Sequence, residues 1–186
     1  MNSLIQALQT IVKFFETQQI QYMVIGGIAT SIYGIPRQTF NIDIKFSLAG
    51  KKIEEFLSIL ASVTSIVPED PITFIKETGV VPIELNGVRI DLILARLPFE
   101  QESLQRSKKQ TVFGVDIIIT SIEDLIIQKA ISPRGKDWMD IEGIVENHGS
   151  ELDWSYTLEH IKQLSEFLAD TTIYSKIKKL KDATGL

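Results

Sequence analysis

No cysteine occurs in the 186-residue chain, which excludes disulfides, a thiolate metal site and a cysteine nucleophile. Histidine is scarce: His148 and His160 are the only two, too few for a His-rich zinc centre. No apolar run approaches the ~20 residues that span a bilayer. The N-terminal stretch "MNSLIQALQTIVKFFETQQ" lacks a basic segment leading into a long apolar one, so no signal peptide is expected. A soluble, cytoplasmic protein with no membrane partner is the expectation. Positive charge is also in deficit. A formal net charge of −5 argues against coating nucleic acid by charge alone. Lysines do gather locally, at Lys108-Lys109 and at Lys176, Lys178, Lys179 and Lys181. A solvated helix surface accounts for them, and a local RNA-binding patch stays open.

What is present is ordinary globular material, 44% hydrophobic and 23% charged, long enough for one domain or two small subdomains. Leu4, Leu8, Ile11, Phe14 and Phe15 recur at helical spacing, so residues 3–18 read as an amphipathic helix. "QYMVIGG" reads as a buried strand ending in a glycine pair. "IATSIYG" reads as a short helix closed by Gly34 and Pro36. "TFNIDIKF" alternates with period two, placing Asn41, Asp43 and Lys45 on one face and Ile42, Ile44 and Phe46 on the other. "KKIEEFLSILASV" is a second amphipathic helix. "ITFIKE" and "VVPIEL" read as strands, with Pro82 suited to a strand end or edge. Asn86-Gly87 signals a hairpin into "VRIDLILA". "FEQESLQRSKK" reads as a helix, and "QTVFGVDIIIT" as a bent strand or tight hairpin around Gly114. Beyond residue 120 the pattern turns helical, with Ser121 and Asp124 spaced as an N-cap and an acidic N3. The fold class is α/β (α+β): a small mixed sheet flanked by helices over 1–120, then a helical subdomain over 121–186 packed against it. A ligand is expected in the cleft between them.

A strand running through Gly26-Gly27 into a helix aims backbone N–H groups and the positive end of the helix dipole at one spot, where an anion can approach closely. Alone, such a pair marks only a tight turn. Asn41 and Asp43, at i and i+2, project together about 7 Å apart, within reach of one hard cation. Asp91 sits in an otherwise apolar strand, where a lone acid is costly to bury unless paired or metal-bound. A salt bridge to Arg89 or Arg37 is its alternative. Two acids on one strand and a third on a neighbour make a two-magnesium site for phosphoryl transfer. Here it is complete except at the first position.

"VIGGIAT", "RQTFNIDI" and "RIDLI", in this order, resemble the nucleotidyltransferase superfamily with the polymerase-β-like fold. More narrowly they resemble its small bacterial toxin–antitoxin and abortive-infection branch. "SIEDLIIQKAISPRGKDWMDIEGIV" resembles that branch's helical motif through Lys129, Arg134, Lys136-Asp137 and Asp140. The match spans roughly residues 20 to 146. It implies an NTP substrate, Mg²⁺ of the two-metal type, and transfer of a nucleoside monophosphate to a hydroxyl of RNA or tRNA, a protein or a small molecule. It further implies that Gly26, Gly27, Arg37, Lys129, Lys136 and Asp137 serve the nucleotide, that Asn41, Asp43 and Asp91 serve the metal, and that Asp43 and Asp91 are catalytic. Surface ion pairs at i, i+3 and i+4, Lys136 with Asp140 among them, are the alternative for the helical residues. Asn41 departs from the pattern, which has Asp there. Its amide brings no charge, so weaker metal binding and slower chemistry, or none, are expected. Three explanations stay open: a degenerate member that binds nucleotide or a toxin or antitoxin partner without turnover, an engineered variant, or catalysis with one metal.

Overall fold

The computed structural model describes residues 2–132 and 134–185. The chain divides into two compact units, Met1–Ile28 with Gln38–Thr120, and Ala29–Arg37 with Ser121–Leu186.

The first unit holds α1 (Asn2–Thr17), β1 (Gln21–Ile25) and the start of α2 (Gly26–Tyr33). It continues with β2 (Ile42–Ser47), α3 (Ile53–Ala61), β3 (Ser65–Ile66), α4 (Pro71–Thr78), β4 (Val80–Leu85), β5 (Val88–Leu94), α5 (Pro98–Arg106), β6 (Lys108–Val112) and β7 (Val115–Ile119). The strands form one sheet in the order β3-β4-β5-β2-β1-β7-β6. It is mixed: β2 runs parallel to β5 and β1 parallel to β7, while the remaining pairs are antiparallel.

Period-two alternation in β2 decides which face carries what. Ile42, Ile44 and Phe46 are fully buried. Phe46 stacks on Phe56 of α3 at 4.8 Å between ring centres and lies 5.7 Å from Phe15 of α1. Each such ring contributes about 1.5–3 kcal/mol by leaving water. The opposite face carries Asp43 and Lys45. There Met23, Ile25, Ala95 and Leu104 form a second core, with Ile93 and Ile118 packed on it. Leu104 belongs to α5, so helices cover the sheet on both sides. Lys45 is buried on this side and pairs with Glu100 of α5. Burial pushes the Glu100 carboxyl up, but the Lys45 charge and N–H groups from Lys45, Leu97 and Arg96 outweigh it and hold it below its usual value.

The expected hairpins are present. Asn86 and Gly87 both have positive φ (55° and 72°) between β4 and β5, and Phe113 and Gly114 (53° and 78°) do the same between β6 and β7. "ITFIKE" is not a strand but part of α4. Asp70 caps it by accepting from Thr73 N, Pro71 takes the first turn, and Gly79 at φ 75° closes it in the left-handed region. The flanking cap residues outweigh the β-branched character of the hexapeptide. Strand β2 begins at Ile42, so Asn41 lies just outside the ladder and is exposed. Pro82 sits mid-strand in β4, opposite Asp91 of β5. Its carbonyl accepts Val67 N–H just beyond the two-residue β3. Its missing N–H therefore falls on the nearly unpaired outer side of β4. At the other end of the sheet, β6 exposes Lys108, Lys109 and Thr111.

The second unit holds the rest of α2 and then α6 (Ile122–Ala130), α7 (Gly135–His148), α8 (Trp154–Phe167) and α9 (Thr171–Ala183). Ser121 caps α6 as its spacing indicated: its Oγ accepts from Asp124 N at 3.1 Å and donates to Asp124 Oδ2 at 2.7 Å. Tyr156 of α8 donates to the other oxygen of Asp124 at 2.8 Å, so this fully buried carboxylate is satisfied. Residues 33–37 run antiparallel along one face of α7. Tyr33 meets His148 edge-on, and Asn147 Nδ2 donates to the Gly34 carbonyl at 3.1 Å. A side chain at Gly143 would meet Ile35 Cγ1 at 2.9 Å. Arg37 then reaches Asp140. Helix positions 147, 143 and 140, spaced four and three apart, lie on one face, so the segment from Gly34 to Arg37 follows successive turns of α7.

Candidate active site

In the first unit the site is built on β2 and β5. These strands pair in parallel with Asp43 directly opposite Asp91. Residues in such register point to the same face, with Cα atoms about 4.8 Å apart. The apolar alternation of both strands locks this register, since a one-residue slip would bury the acids and expose the isoleucines. Ile25, the last residue of β1, lies on the other side of Asp43. The chain turns from there into α2 through Gly26, whose φ is +62°.

The glycine pair has a local purpose. A methyl group on Gly26 would overlap the Asp43 carboxylate, and one on Gly27 would lie 2.5 Å from Thr39 Oγ1. Asp43 takes up the space beside Gly26 and Thr39 the space beside Gly27, so Gly26 leaves room for the Asp43 carboxylate and Gly27 for the Thr39 hydroxyl. Gly26→Ala is expected to displace Asp43 and to add about 1–2 kcal/mol of backbone strain. Thermal unfolding should register a fall of about 2–8 °C, accompanied by loss of divalent-cation affinity.

Asp91 is partnered by its own strand neighbour: Arg89 Nε donates to Asp91 Oδ1 at 3.0 Å. Asn41 is exposed and its side-chain amide makes no hydrogen bond among the described residues, while its carbonyl accepts from Thr39 Oγ1 at 3.1 Å. Among the described residues no three His, Cys, Asp or Glu side chains gather as a metal-holding group. The donor set nonetheless fits one hard divalent cation, because two half-buried carboxylates lie in register with an oxygen-bearing amide two residues before the first. It supplies no third carboxylate for a second ion.

The remaining sequence-derived residues lie in the second unit, where most of them form one network. Lys129 is buried and donates to Asp137 Oδ1 at 2.9 Å and Asp140 Oδ2 at 2.6 Å. Arg37 grips Asp140 with two bonds, Nε to Oδ1 at 3.2 Å and Nη2 to Oδ2 at 3.0 Å. Asp137 Oδ2 also accepts from Ser132 Oγ and Arg134 Nε, each at 2.6 Å. Burial pushes the Asp137 carboxyl up, but the Ser132 and Lys129 hydrogen bonds and the Lys129 charge, with Arg134, hold it below its usual value. Lys136 is exposed and makes no ion pair among the described residues. The i, i+4 pairing of Lys136 with Asp140 does not form, because Asp140 faces inward to Lys129 and Arg37.

Ser132 and Thr39 were not singled out from the sequence, and Arg89 entered only as an alternative salt-bridge partner of Asp91, the pairing that forms. A signal existed for Arg89: it stands at i−2 from Asp91, on the same strand face. Ser132 and Thr39 carry no comparable signal.

The family described as nucleotidyl transferase of unknown function (DUF2204) matches residues 4–182. The chain belongs to this family. No curated protein matches it in sequence. Among solved structures, the nucleotidyl transferase fold of this chain resembles the antibiotic-resistance factor ANT(2'')-Ia at 14% identity and a TM-score of 0.58, covering 98% of this chain and 91% of that one. It also resembles an antigenic nucleotidyltransferase-like protein from Paracoccidioides brasiliensis at 15% identity and a TM-score of 0.56, covering 94% and 93%. A third likeness is the lincosamide antibiotic adenylyltransferase LnuA, solved with lincomycin, at 15% identity and a TM-score of 0.52, covering 75% and 94%. At these identities the likeness is one of fold, and it agrees with the mixed α/β class read from the sequence. No helix among the described residues is long and apolar enough to cross a membrane.

Proposed function

We propose that this nucleotidyl transferase moves a nucleoside monophosphate from an NTP to a hydroxyl acceptor, at a site centred on Asp43 and Asp91. The observation that carries the reading is their register on neighbouring parallel strands beside Gly26. Asp43 and Asp91 would hold a divalent ion, which supplies Lewis-acid polarisation of the α-phosphoryl group. Gly26 lets the Asp43 carboxylate sit against the start of α2, and Gly27 does the same for Thr39. Asp91 takes the proton of the acceptor hydroxyl and passes it to water. The acceptor oxygen bonds to the α-phosphorus as the bond to the α,β-bridging oxygen breaks, and the electron pair leaves with pyrophosphate. Within the second unit, Asp140 holds Arg37 by two bonds and Lys136 stays exposed, which leaves two cations there of the kind that bind phosphate. Lys129 and Asp137 are positioning residues for Arg37 and for the first turn of α7.

The acceptor class is RNA such as tRNA, a protein hydroxyl, or a small molecule of the kind named for the lincosamide adenylyltransferase. The test is label transfer from α-labelled ATP, with magnesium, to tRNA and to lincomycin in parallel. Asn41→Asp is expected to raise the rate at least about tenfold by adding one anionic ligand. An unchanged rate would remove Asn41 from the ligand set.

A second reading, a nucleotide-binding or partner-binding protein without turnover, is favoured by the same amide and by the Arg89 pair on Asp91. Calorimetry separates the two readings. Nucleotide binding without transfer to any acceptor supports the second, and no nucleotide binding in the presence of magnesium removes both.

A further inference from the structure

We infer that Arg89 is a built-in cation standing where a second metal ion would stand in a three-carboxylate site, and that it contacts the triphosphate. The inference rests on the nucleotidyl-transfer reading above.

The first observation is position. Arg89 and Asp91 alternate onto one face of β5, and that face also carries Asp43 across the ladder. The second is geometry. Arg89 Nε bonds Asp91 Oδ1 at 3.0 Å, and among the described residues its two Nη groups make no hydrogen bond. A guanidinium anchored by one edge keeps its other N–H groups for a phosphate. The third is energetics. The Arg89 side chain is 58% exposed, and ion pairs of that exposure are worth little to stability. Fold stability gives no strong reason for an arginine beside this acid.

Charge makes the substitution coherent. Three carboxylates facing two divalent ions leave one net positive charge for the phosphates. Asp43 and Asp91 facing one divalent ion and Arg89 leave the same. Asn41 and Arg89 are thus complementary departures: one removes an anion and the other supplies a fixed cation in place of a mobile one. During transfer, the bond from the acceptor oxygen to the α-phosphorus forms while the bond to the α,β-bridging oxygen breaks. The proton goes to Asp91 and then water, and the charge arriving on pyrophosphate is met by the Nη groups of Arg89.

The test is a pair of titrations on the full chain: Mn²⁺ alone, followed by the loss of free-ion paramagnetic resonance, and α,β-methylene ATP in the presence of Mg²⁺, followed by calorimetry. Wild type is expected to take up one Mn²⁺. Arg89→Ala is expected to move the two affinities in opposite directions. Mn²⁺ binds about tenfold more tightly once the competing cation is gone, and the nucleotide binds about tenfold or more weakly once a charge-assisted contact is lost. Arg89→Lys retains part of the nucleotide affinity. Asn41→Asp combined with Arg89→Ala takes up a second Mn²⁺. Local damage cannot produce opposite signs. If wild type binds both probes and Arg89→Ala leaves both affinities unchanged, or weakens both alike, the inference fails while the transferase reading stands. A wild type that binds neither probe overturns both.

Discussion

Lys129→Met is expected to destabilise the protein by about 3 kcal/mol, because it strips the central cation from two buried carboxylates. Lys129 bonds both Asp137 and Asp140, which are 1% and 9% exposed. Arg37 and Arg134 remain after the substitution, which keeps the effect at the lower end for a broken buried pair. For a chain of this length, 3 kcal/mol corresponds to a fall in Tm of about 6–12 °C. The pH dependence carries a sign. The Asp137 carboxyl is held below its ordinary value in the folded state. Its stabilisation is therefore fully present above the unfolded value and is lost as pH falls from there through the folded one. Removing Lys129 raises the folded value, so the acid limb of a stability profile moves to higher pH. Asp140→Asn on the Lys129→Met background is expected to recover part of the loss, with a coupling of about 0.5–3 kcal/mol. Additive losses would mean that the network is a set of independent pairs.

Asp43→Asn has the largest expected effect on function and little on the fold. The amide is nearly isosteric with the carboxylate, so it still fits beside Gly26, and thermal stability is expected to change by no more than about 0.5 kcal/mol. Divalent-cation affinity is expected to fall at least about 100-fold, and label transfer with it. An anionic ligand is lost from a set that has two carboxylates, and phosphoryl transfer is governed mainly by placed charge. Retained Mn²⁺ affinity in a stably folded Asp43→Asn variant would move the metal site away from β2. The second reading shares the binding loss but predicts no transfer from wild type either.

The elements whose apolar pattern decides their form were legible in the sequence. Phe14 and Phe15 in α1, the alternation of β2 and the Asn86-Gly87 turn each follow from local chemistry that the structure keeps. Residues 72–77 were not, because their β-branched character suggested a strand while the information lay at their ends, in Asp70, Pro71 and Gly79. Asn41 was placed in the strand by an alternation that the ladder does not extend to. The acids Asp43 and Asp91 could be picked out as polar intruders in apolar runs, but nothing in one dimension says that they face each other. That depends on a parallel register between strands more than forty residues apart. The members of the Lys129 network were named from the sequence, with Asp137 or Asp140 as orienting acids, but their pairing was not fixed. Helical spacing offered Lys136 to Asp140, and only tertiary packing shows Asp140 turned toward Lys129 and Arg37.

The sheet's margins bear on how this protein tolerates crowding with itself. One margin is β3, two residues long, beside a strand that carries Pro82. The other is β6, which presents Lys108 and Lys109 to solvent. A short rim, a missing donor and paired lysines all discourage a further strand from docking edge to edge. Concentrated solutions are accordingly expected to resist amyloid-like growth from the native state, and any self-association is expected to use side-chain surfaces rather than extension of the sheet.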